Sequence, residues 1–100
     1  MARRVVWSPE ALADLADIYH YIKLDNQDAA KNVADKLRNM AKSIPDNPEI
    51  RQKCPEHNRE DLRQRLYKKY RMIYQLVGDE VRILQIFHTR REKLPDLRIE

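Results

Sequence analysis

The sequence predicts an α+β domain in which a hairpin of two helices packs on one face of a mostly antiparallel four-stranded sheet, in the order β-α-α-β-β-β. Two apolar stripes with helical spacing follow each other in the first half of the chain. In the second half, two runs of β-branched and aromatic residues flank Gly78-Asp79, a strong hairpin signal. The length of 100 residues, 42% of them hydrophobic, predicts a single globular domain spanning residues 1–100.

The first half of the chain predicts one strand and then the helix hairpin. A short apolar run within residues 1–7 indicates the strand, and Ser8 is a good N-cap before Pro9. The first helix should run from Pro9 to Lys23, and Asn26 should cap the second helix, so that the helix hairpin spans residues 8–44. The residues expected to face the core are Leu12, Leu15, Ile18, Tyr19 and Ile22 in the first helix, and Ala30, Val33, Ala34, Leu37, Met40, Ala41 and Ile44 in the second.

The second half predicts a loop followed by three consecutive strands. Residues 45–61 hold three prolines and few apolar residues, which is typical of a long loop. A strand over Leu62–Tyr67, a turn at Lys68-Lys69 and the hairpin around Gly78 form a three-stranded meander over residues 62–88. Residues 89–100 form a short tail.

A two-residue turn at Gly78-Asp79 places Val77 opposite Glu80 and Tyr70 opposite Phe87. A three-residue loop would instead mix the two faces. With the two-residue turn, the face expected to pack under the helices carries Tyr70, Met72, Tyr74, Leu76, Val81, Ile83, Gln85 and Phe87. The face expected to be left free for another macromolecule carries Arg71, Ile73, Gln75, Arg82, Leu84, Ile86 and His88.

Composition narrows the classes of function. The net charge of +4 favours an acidic partner such as nucleic acid, an acidic polypeptide or an anionic surface. No apolar run reaches membrane-spanning length and the N-terminus lacks the apolar segment of a signal peptide, so we expect a cytoplasmic protein with no membrane partner. The lone Cys54 fits a reducing compartment, and the single glycine argues against glycine-rich phosphate loops. No cofactor is expected, and the scattered histidines predict no metal site.

A set of cationic residues is the candidate target-binding surface. In the predicted register Arg71 and His88 lie at the same end of the same face, and guanidinium groups bind phosphate or carboxylate through two parallel hydrogen bonds. A single strand arginine is more often an ordinary solvated edge group, so the prediction depends on the cluster. Cys54 and His57 lie three residues apart, but no carboxylate is placed to orient the histidine, which makes a thiol nucleophile the weaker interpretation. The predicted target-binding residues are Arg63, Arg65, Arg71, Arg82, His88, Arg90 and Arg91.

Three stretches resemble the ParE/RelE superfamily of type II toxin-antitoxin toxins, over nearly the whole chain. They are WSPEALADLADIYHYI, DAAKNVADKL and LRQRLYKKYRMIYQLVGDEVRILQIFHTRR. The resemblance implies the same β-α-α-β-β-β order and a toxin that forms a hetero-oligomer with a cognate antitoxin. An acidic, flexible antitoxin segment would cover the helix hairpin and the sheet edges.

The resemblance implies two alternative targets. ParE-like members resemble the chain at the WSPEAL opening and the HTRR ending; they poison DNA gyrase by protein-protein contact and arrest growth. RelE-like members bind the ribosome and cleave messenger RNA, and there Arg71 and Arg91 match two arginines of the pattern while His88 would transfer protons. The lysine positions of that pattern fall at Leu62 and Gln64, and no tyrosine follows Arg91.

The first expectation is therefore a ParE-like gyrase inhibitor that is not itself an enzyme. Its contact region would comprise Arg71, His88, Arg90, Arg91 and the tail. The alternative is a RelE-like ribosome-dependent messenger RNA endoribonuclease in which Arg71, His88 and Arg91 are catalytic. A basic binding module without toxicity is the third interpretation.

Overall fold

The computed structural model of the protein describes residues 3–46 and 59–90. The predicted β-α-α-β-β-β fold is confirmed. Most of the predicted 45–61 loop, with Cys54 and His57, and the tail from Arg91 onward lie outside the described residues. The elements are β1 (Arg4–Trp7), α1 (Pro9–Lys23), α2 (Gln27–Ser43), β2 (Leu62–Tyr67), β3 (Tyr70–Val77) and β4 (Glu80–His88), and a single 3-10 turn, Ile44–Asp46, follows α2.

The four strands lie in the order β1-β4-β3-β2. Strand β1 pairs parallel to β4, whereas the other two pairings are antiparallel. Both helices pack on one face of this sheet, here called the helix face, and enclose the main hydrophobic core. The opposite side, here called the far face, carries a second buried cluster of Leu62, Ile73, Leu84 and Phe87.

Each helix begins at the predicted capping residue. The Ser8 hydroxyl accepts a hydrogen bond from the Ala11 amide at 3.0 Å, and Asn26 Oδ1 accepts one from the Ala29 amide at 3.0 Å. The Ser8 hydroxyl also donates to the Leu84 carbonyl at 2.8 Å. Ser8 therefore caps α1 and fastens it to β4, whereas Asn26 only caps an exposed helix end.

The buried stripe of α1 is rotated from the predicted one. Ala11 and Leu15 face the core, while Leu12 is 53% exposed, so its predicted core position is wrong. Because Ser8 holds the start of α1 against β4, the small Ala11 side chain turns toward the sheet and lets the helix approach closely. One residue further along, Leu12 points about 100° away, the rotation per residue of an α-helix.

The turn between β3 and β4 has the predicted two residues, Gly78 and Asp79. Gly78 has a φ of 57°, a left-handed conformation that costs glycine nothing. The pairing runs as predicted from Val77–Glu80 to Tyr74–Ile83. Beyond this point the predicted register is wrong, because Leu84 is inserted as a β-bulge.

The bulge reverses the faces of the last residues of β4. Tyr70 pairs with His88 instead of Phe87, and Arg71 pairs with Phe87 instead of Ile86. Ile86 therefore joins the core under the helices, Phe87 joins the far-face cluster, and His88 lies on the helix face. The physical gain is that Ile86, rather than the polar Gln85, fills the core position next to Met72.

We expect Ser8→Ala to lower the free energy of unfolding by about 2 kcal/mol, since it removes a helix cap and the partner of the Leu84 carbonyl. Asn26→Ala is the matched control, because it removes only a cap and should cost about 1 kcal/mol. Urea unfolding of the three proteins checks the difference. Equal losses for the two variants would show that the bond from Ser8 to β4 contributes nothing.

Candidate functional site

Two of the predicted target-binding arginines lie on the far face and are engaged there. The Arg71 guanidinium lies over the Phe87 ring, with Cζ 5.5 Å from the ring centroid, and its Nε donates to Gln64 Oε1. Arg82 Nε donates to Glu80 Oε1 at 2.9 Å, and the same carboxylate pairs with Arg4 at 2.9 Å. These contacts stabilise the far face itself.

Two more of the predicted arginines lie on β2 and form hydrogen bonds with neighbouring segments. Arg63 lies on the helix face, because it pairs across the strands with Tyr74, a core residue of that face. Its side chain is only 11% exposed. It donates to the Glu60 carbonyl at 2.9 Å and to the Glu60 carboxylate at 3.1 Å. Arg65 Nη1 donates to the Met40 carbonyl at 2.9 Å and to the Ser43 hydroxyl. A cation at this position satisfies one of the last carbonyls of α2 and complements the helix dipole.

The remaining described members of the set, His88 and Arg90, lie at the other end of the sheet on the helix face. The predicted placement of Arg71 and His88 on one face is therefore wrong: the bulge at Leu84 carries His88 to the side opposite Arg71. Arg91 lies outside the described residues. The six described members of the predicted set do not form one surface.

His88 and Arg90 instead line a groove between the second half of α1 and the paired ends of β3 and β4. The groove has a volume of about 630 Å³. Here it is called the end groove, and its lining residues are Asp17, Ile18, Tyr21, Lys69, Tyr70, His88 and Arg90.

The aromatic wall of the end groove is fixed by contacts between its members. The rings of Tyr70 and His88 meet edge to face, with centroids 5.7 Å apart. His88 Nδ1 accepts a hydrogen bond from the Arg90 amide at 3.0 Å, so a neutral His88 carries its proton on Nε2. Burial, and then the nearby Tyr21 phenol, raise the pKa of Tyr70, so its hydroxyl remains a neutral hydrogen-bond donor at physiological pH.

The rim of the end groove carries available positive charge. Among the described residues, Lys69 and Arg90 have no ion-pair partner, whereas Arg63 and Arg82 are paired with carboxylates. Tyr21 adds an aromatic side chain that is 76% exposed. With the Asp17 carboxylate set against these two cations, the end groove offers aromatic surface, hydrogen-bond donors and a net positive charge to an acidic or polar partner.

Sequence patterns do not single out Lys69 or Tyr70 as members of a site. The turn between β2 and β3 accounts for Lys69. Tyr70 is accounted for as an aromatic residue of a strand that contributes to the core. Their proximity to His88 depends on the bulge and on the packing of α1, and neither of these leaves a short motif. The one available signal is the run of two lysines directly before an aromatic residue.

A separate polar cluster fixes the start of β2 to β3. Asp61 accepts hydrogen bonds from Gln75 Nε2 at 2.8 Å and from Arg59 Nη2 at 2.7 Å, while its carbonyl accepts from the Leu76 amide at 2.8 Å. Burial alone would raise the pKa of Asp61, but the bonds from Gln75 and Arg59 and the Arg59 charge outweigh it. The pKa of this carboxyl therefore lies below its ordinary value.

Because the pKa of Asp61 is lowered on folding, its ionised form stabilises the fold above the unfolded-state pKa of about 4 and loses this effect as the pH falls through the folded value. Wild type should therefore be more stable than Asp61→Asn at neutral pH, and the difference should shrink below about pH 4. Urea midpoints of both proteins between pH 7 and pH 3 measure this. A difference that stays constant over the range would contradict it.

The described residues form a small α+β protein with a helix hairpin on one face of a four-stranded sheet and the end groove beside it. A family model described as "ParE toxin of type II toxin-antitoxin system, parDE" matches residues 5–93. The chain belongs to this family, within the ParE/RelE superfamily of type II toxins. No curated protein sequence matches the chain.

Solved structures with the same fold include a chain of the chromosomal ParDE toxin-antitoxin system from P. aeruginosa, with 21% identity and a TM-score of 0.72 over 87% of this chain and 96% of that one. A mutant of the E. coli toxin RelE in the free state matches with 18% identity and a TM-score of 0.63, over 89% and 85%. A chain of the YoeB dimer from Staphylococcus aureus matches with 20% identity and a TM-score of 0.59, over 85% and 94%. In the described part of the chain, neither helix is long and apolar enough to span a membrane.

Proposed function

We propose that this protein is a cytoplasmic ParE-like toxin that inhibits DNA gyrase by protein-protein contact and is neutralised by a cognate antitoxin. The observation that carries the proposal is the match of residues 5–93 to the ParE toxin family of the parDE system. Inhibition by contact requires a complementary surface but no group that transfers protons. The protein would act as a binding inhibitor and not as an enzyme.

The geometry of the sheet supports a binding function. A ribonuclease site built from Arg71, His88 and Arg91 would need these side chains to converge on one phosphate. Arg71 is stacked on Phe87 on the far face, while His88 contacts Tyr70 on the helix face. The two side chains therefore cannot act on the same group without a change of register.

The end groove is the proposed contact region for gyrase. It gathers His88 and Arg90 from the predicted set, and Arg91 follows Arg90 directly in the sequence. Interfaces gain most of their energy from a few aromatic and arginine anchors, which Tyr21, Tyr70 and Arg90 can provide. In this proposal Arg71 and Arg82 support the sheet and do not touch the target.

The antitoxin would bind as a flexible acidic segment. The P. aeruginosa relative is a chain of a ParDE toxin-antitoxin system, and the family of this chain is that of the ParE toxin of such a system. A segment of this kind must bury apolar side chains to offset the entropy lost on ordering. The exposed side chains of Leu12 and Tyr21 on α1 offer such contacts.

The gyrase proposal predicts that the purified protein inhibits DNA supercoiling and traps the cleaved DNA complex. The charge reversal Lys69→Glu/Arg90→Glu should raise the half-inhibitory concentration about tenfold, because it replaces both cations of the end groove with carboxylates that repel an acidic partner. Supercoiling assays over a range of toxin concentrations measure the effect.

The matched control is Lys31→Glu/Lys36→Glu, which changes the net charge equally at two exposed positions of α2. It should leave inhibition within about threefold of wild type, because surface charges far from a contact act only through weak long-range attraction. Equal losses in the two double variants would remove the end groove as the contact region. Unimpaired supercoiling at excess wild-type toxin would remove the gyrase proposal altogether.

A ribosome-dependent messenger RNA endoribonuclease is the second candidate, and one observation favours it. The end groove places the His88 imidazole beside Lys69 and Arg90. Proton transfer by His88 would require the bond from the Arg90 amide to Nδ1 to open, after which an imidazole near two cations that stabilise a charged phosphorane meets the needs of cleavage through the 2′-hydroxyl. In this version Lys69 and Arg90 replace Arg71 as the phosphate-binding groups.

Primer extension on translated messages, after induction of the toxin, separates the two functions. The gyrase proposal predicts no cuts at fixed positions within codons. The endoribonuclease predicts such cuts and a loss of at least about a hundredfold in His88→Gln, the usual contribution of a general base. Cuts that persist unchanged in His88→Gln would contradict a catalytic role for this residue.

A further inference from the structure

Side chains of α1 and of its N-cap form hydrogen bonds with the edge of β4 beyond the point where β1 ends. In the described sheet β1 pairs with β4 only as far as Ile83. Beyond that point the Ser8 hydroxyl donates to the Leu84 carbonyl at 2.8 Å, and Asp14 Oδ2 accepts from the Ile86 amide at 2.9 Å. The N-cap residue and one residue of α1 thus satisfy backbone groups that a longer β1 would otherwise bind.

The end of β4 has two possible registers against β3. In the structure Leu84 is bulged and Tyr70 pairs with His88. A ladder without the bulge would pair Tyr70 with Phe87 and Met72 with Gln85. Regular alternation of the sequence favours this straight ladder, and the bulged ladder is the one that forms.

Packing alone separates the two registers only weakly. The bulged register buries Ile86 under the helices, yet it leaves Gln85 Oε1 buried without a hydrogen-bond partner. An unpaired buried oxygen is destabilising. The straight register would put the polar Gln85 in place of Ile86 beside Met72 and would move Phe87 from the far face into the core, so Gln85 is poorly placed in both registers.

The contacts from α1 are specific for the bulged register. The Ile83 carbonyl accepts from the Ser8 amide and therefore points away from β3. In a straight strand the next groups on that side would belong to Gln85 and Phe87, because backbone groups alternate between the two edges. Only the bulge turns the Ile86 amide toward α1, where the Asp14 carboxylate accepts it.

We infer that Asp14 is the positioning residue that selects the bulged register of β4 and thereby places His88 in the end groove and Phe87 beneath Arg71. A carboxylate that accepts a backbone amide forms one of the stronger hydrogen bonds in proteins and is directional. Ser8 supports the same register but also caps α1, whereas Asp14 acts on β4 from within the helix. The consequence for target binding rests on the proposed function; the choice of register does not.

The register can be read directly by nuclear Overhauser effects in the full chain, labelled by cell-free synthesis. Wild type should show contacts between the Met72 and Ile86 methyl groups and between the Tyr70 and His88 rings. In Asp14→Ala both contacts should be lost, and Tyr70 should instead contact Phe87. Retention of both wild-type contacts in a folded Asp14→Ala protein would overturn the inference.

Ile44→Val is the control for a general loss of stability. It removes one methyl group from the core at a residue of the 3-10 turn after α2, and both register contacts should persist. Loss of these contacts in Ile44→Val would show that any destabilisation shifts β4, and it would overturn a specific role for Asp14.

Asp14→Asn keeps an acceptor oxygen without the charge and covers the case in which Asp14→Ala does not fold. It should retain the bulged register, while the Ile86 amide should exchange with solvent about tenfold faster than in wild type. An unchanged exchange rate at Ile86 would overturn the inference.

The supercoiling assay on Asp14→Ala addresses a different question. If its register shifts and inhibition is lost, both the inference and the end-groove contact are supported. If its register shifts and inhibition is unchanged, the inference stands and the contact proposal fails.

Discussion

The inserted residue at Leu84 is the constraint on which the rest of the site depends. Strand β4 lies between β1 and β3, so its register determines what both faces of the sheet present. One additional residue reverses every side chain that follows it, and here it exchanges Phe87 and His88 between the faces. Because α1 supplies the partners for the freed backbone groups, the bulge is part of the helix-sheet interface and not a local irregularity.

The far face shows how arginines can stabilise a sheet that no described helix covers. Leu62, Ile73, Leu84 and Phe87 are all buried there, and the Arg71 guanidinium covers the Phe87 ring. Stacking of a guanidinium on an aromatic ring shields apolar surface while the charge remains near water.

Much of the fold follows from local signals in the sequence. The N-caps Ser8 and Asn26 mark the starts of both helices, and Gly78 marks the central turn, because each of these residues satisfies a backbone requirement that few others meet. The register beyond the bulge could not be predicted in this way, since both registers bury comparable apolar side chains. The polar Gln85 at a core position of the straight ladder was the only sign against it.

The candidate site was less predictable than the fold for the same reason. The choice of His88 depended on its face, and the face depended on a side chain of α1, Asp14, that is distant in sequence. The exposure of Leu12 likewise follows from the hydrogen bond by which Ser8 holds the start of α1 against β4. The spacing of apolar residues within α1 does not show this bond. Patterns along one element describe that element, but contacts between elements decide which side chains share a surface.

The positive charges behind the net charge of +4 include cations that are paired with carboxylates and cations that are not. Arg63 and Arg82 are held by carboxylates of the same chain, so their fields are largely neutralised at a distance. Lys69 and Arg90 have no such partner among the described residues, and both lie on one groove. Attraction of an acidic partner should therefore depend on where the unpaired cations lie, and the strand arginines that dominate the sequence pattern mainly hold the sheet together.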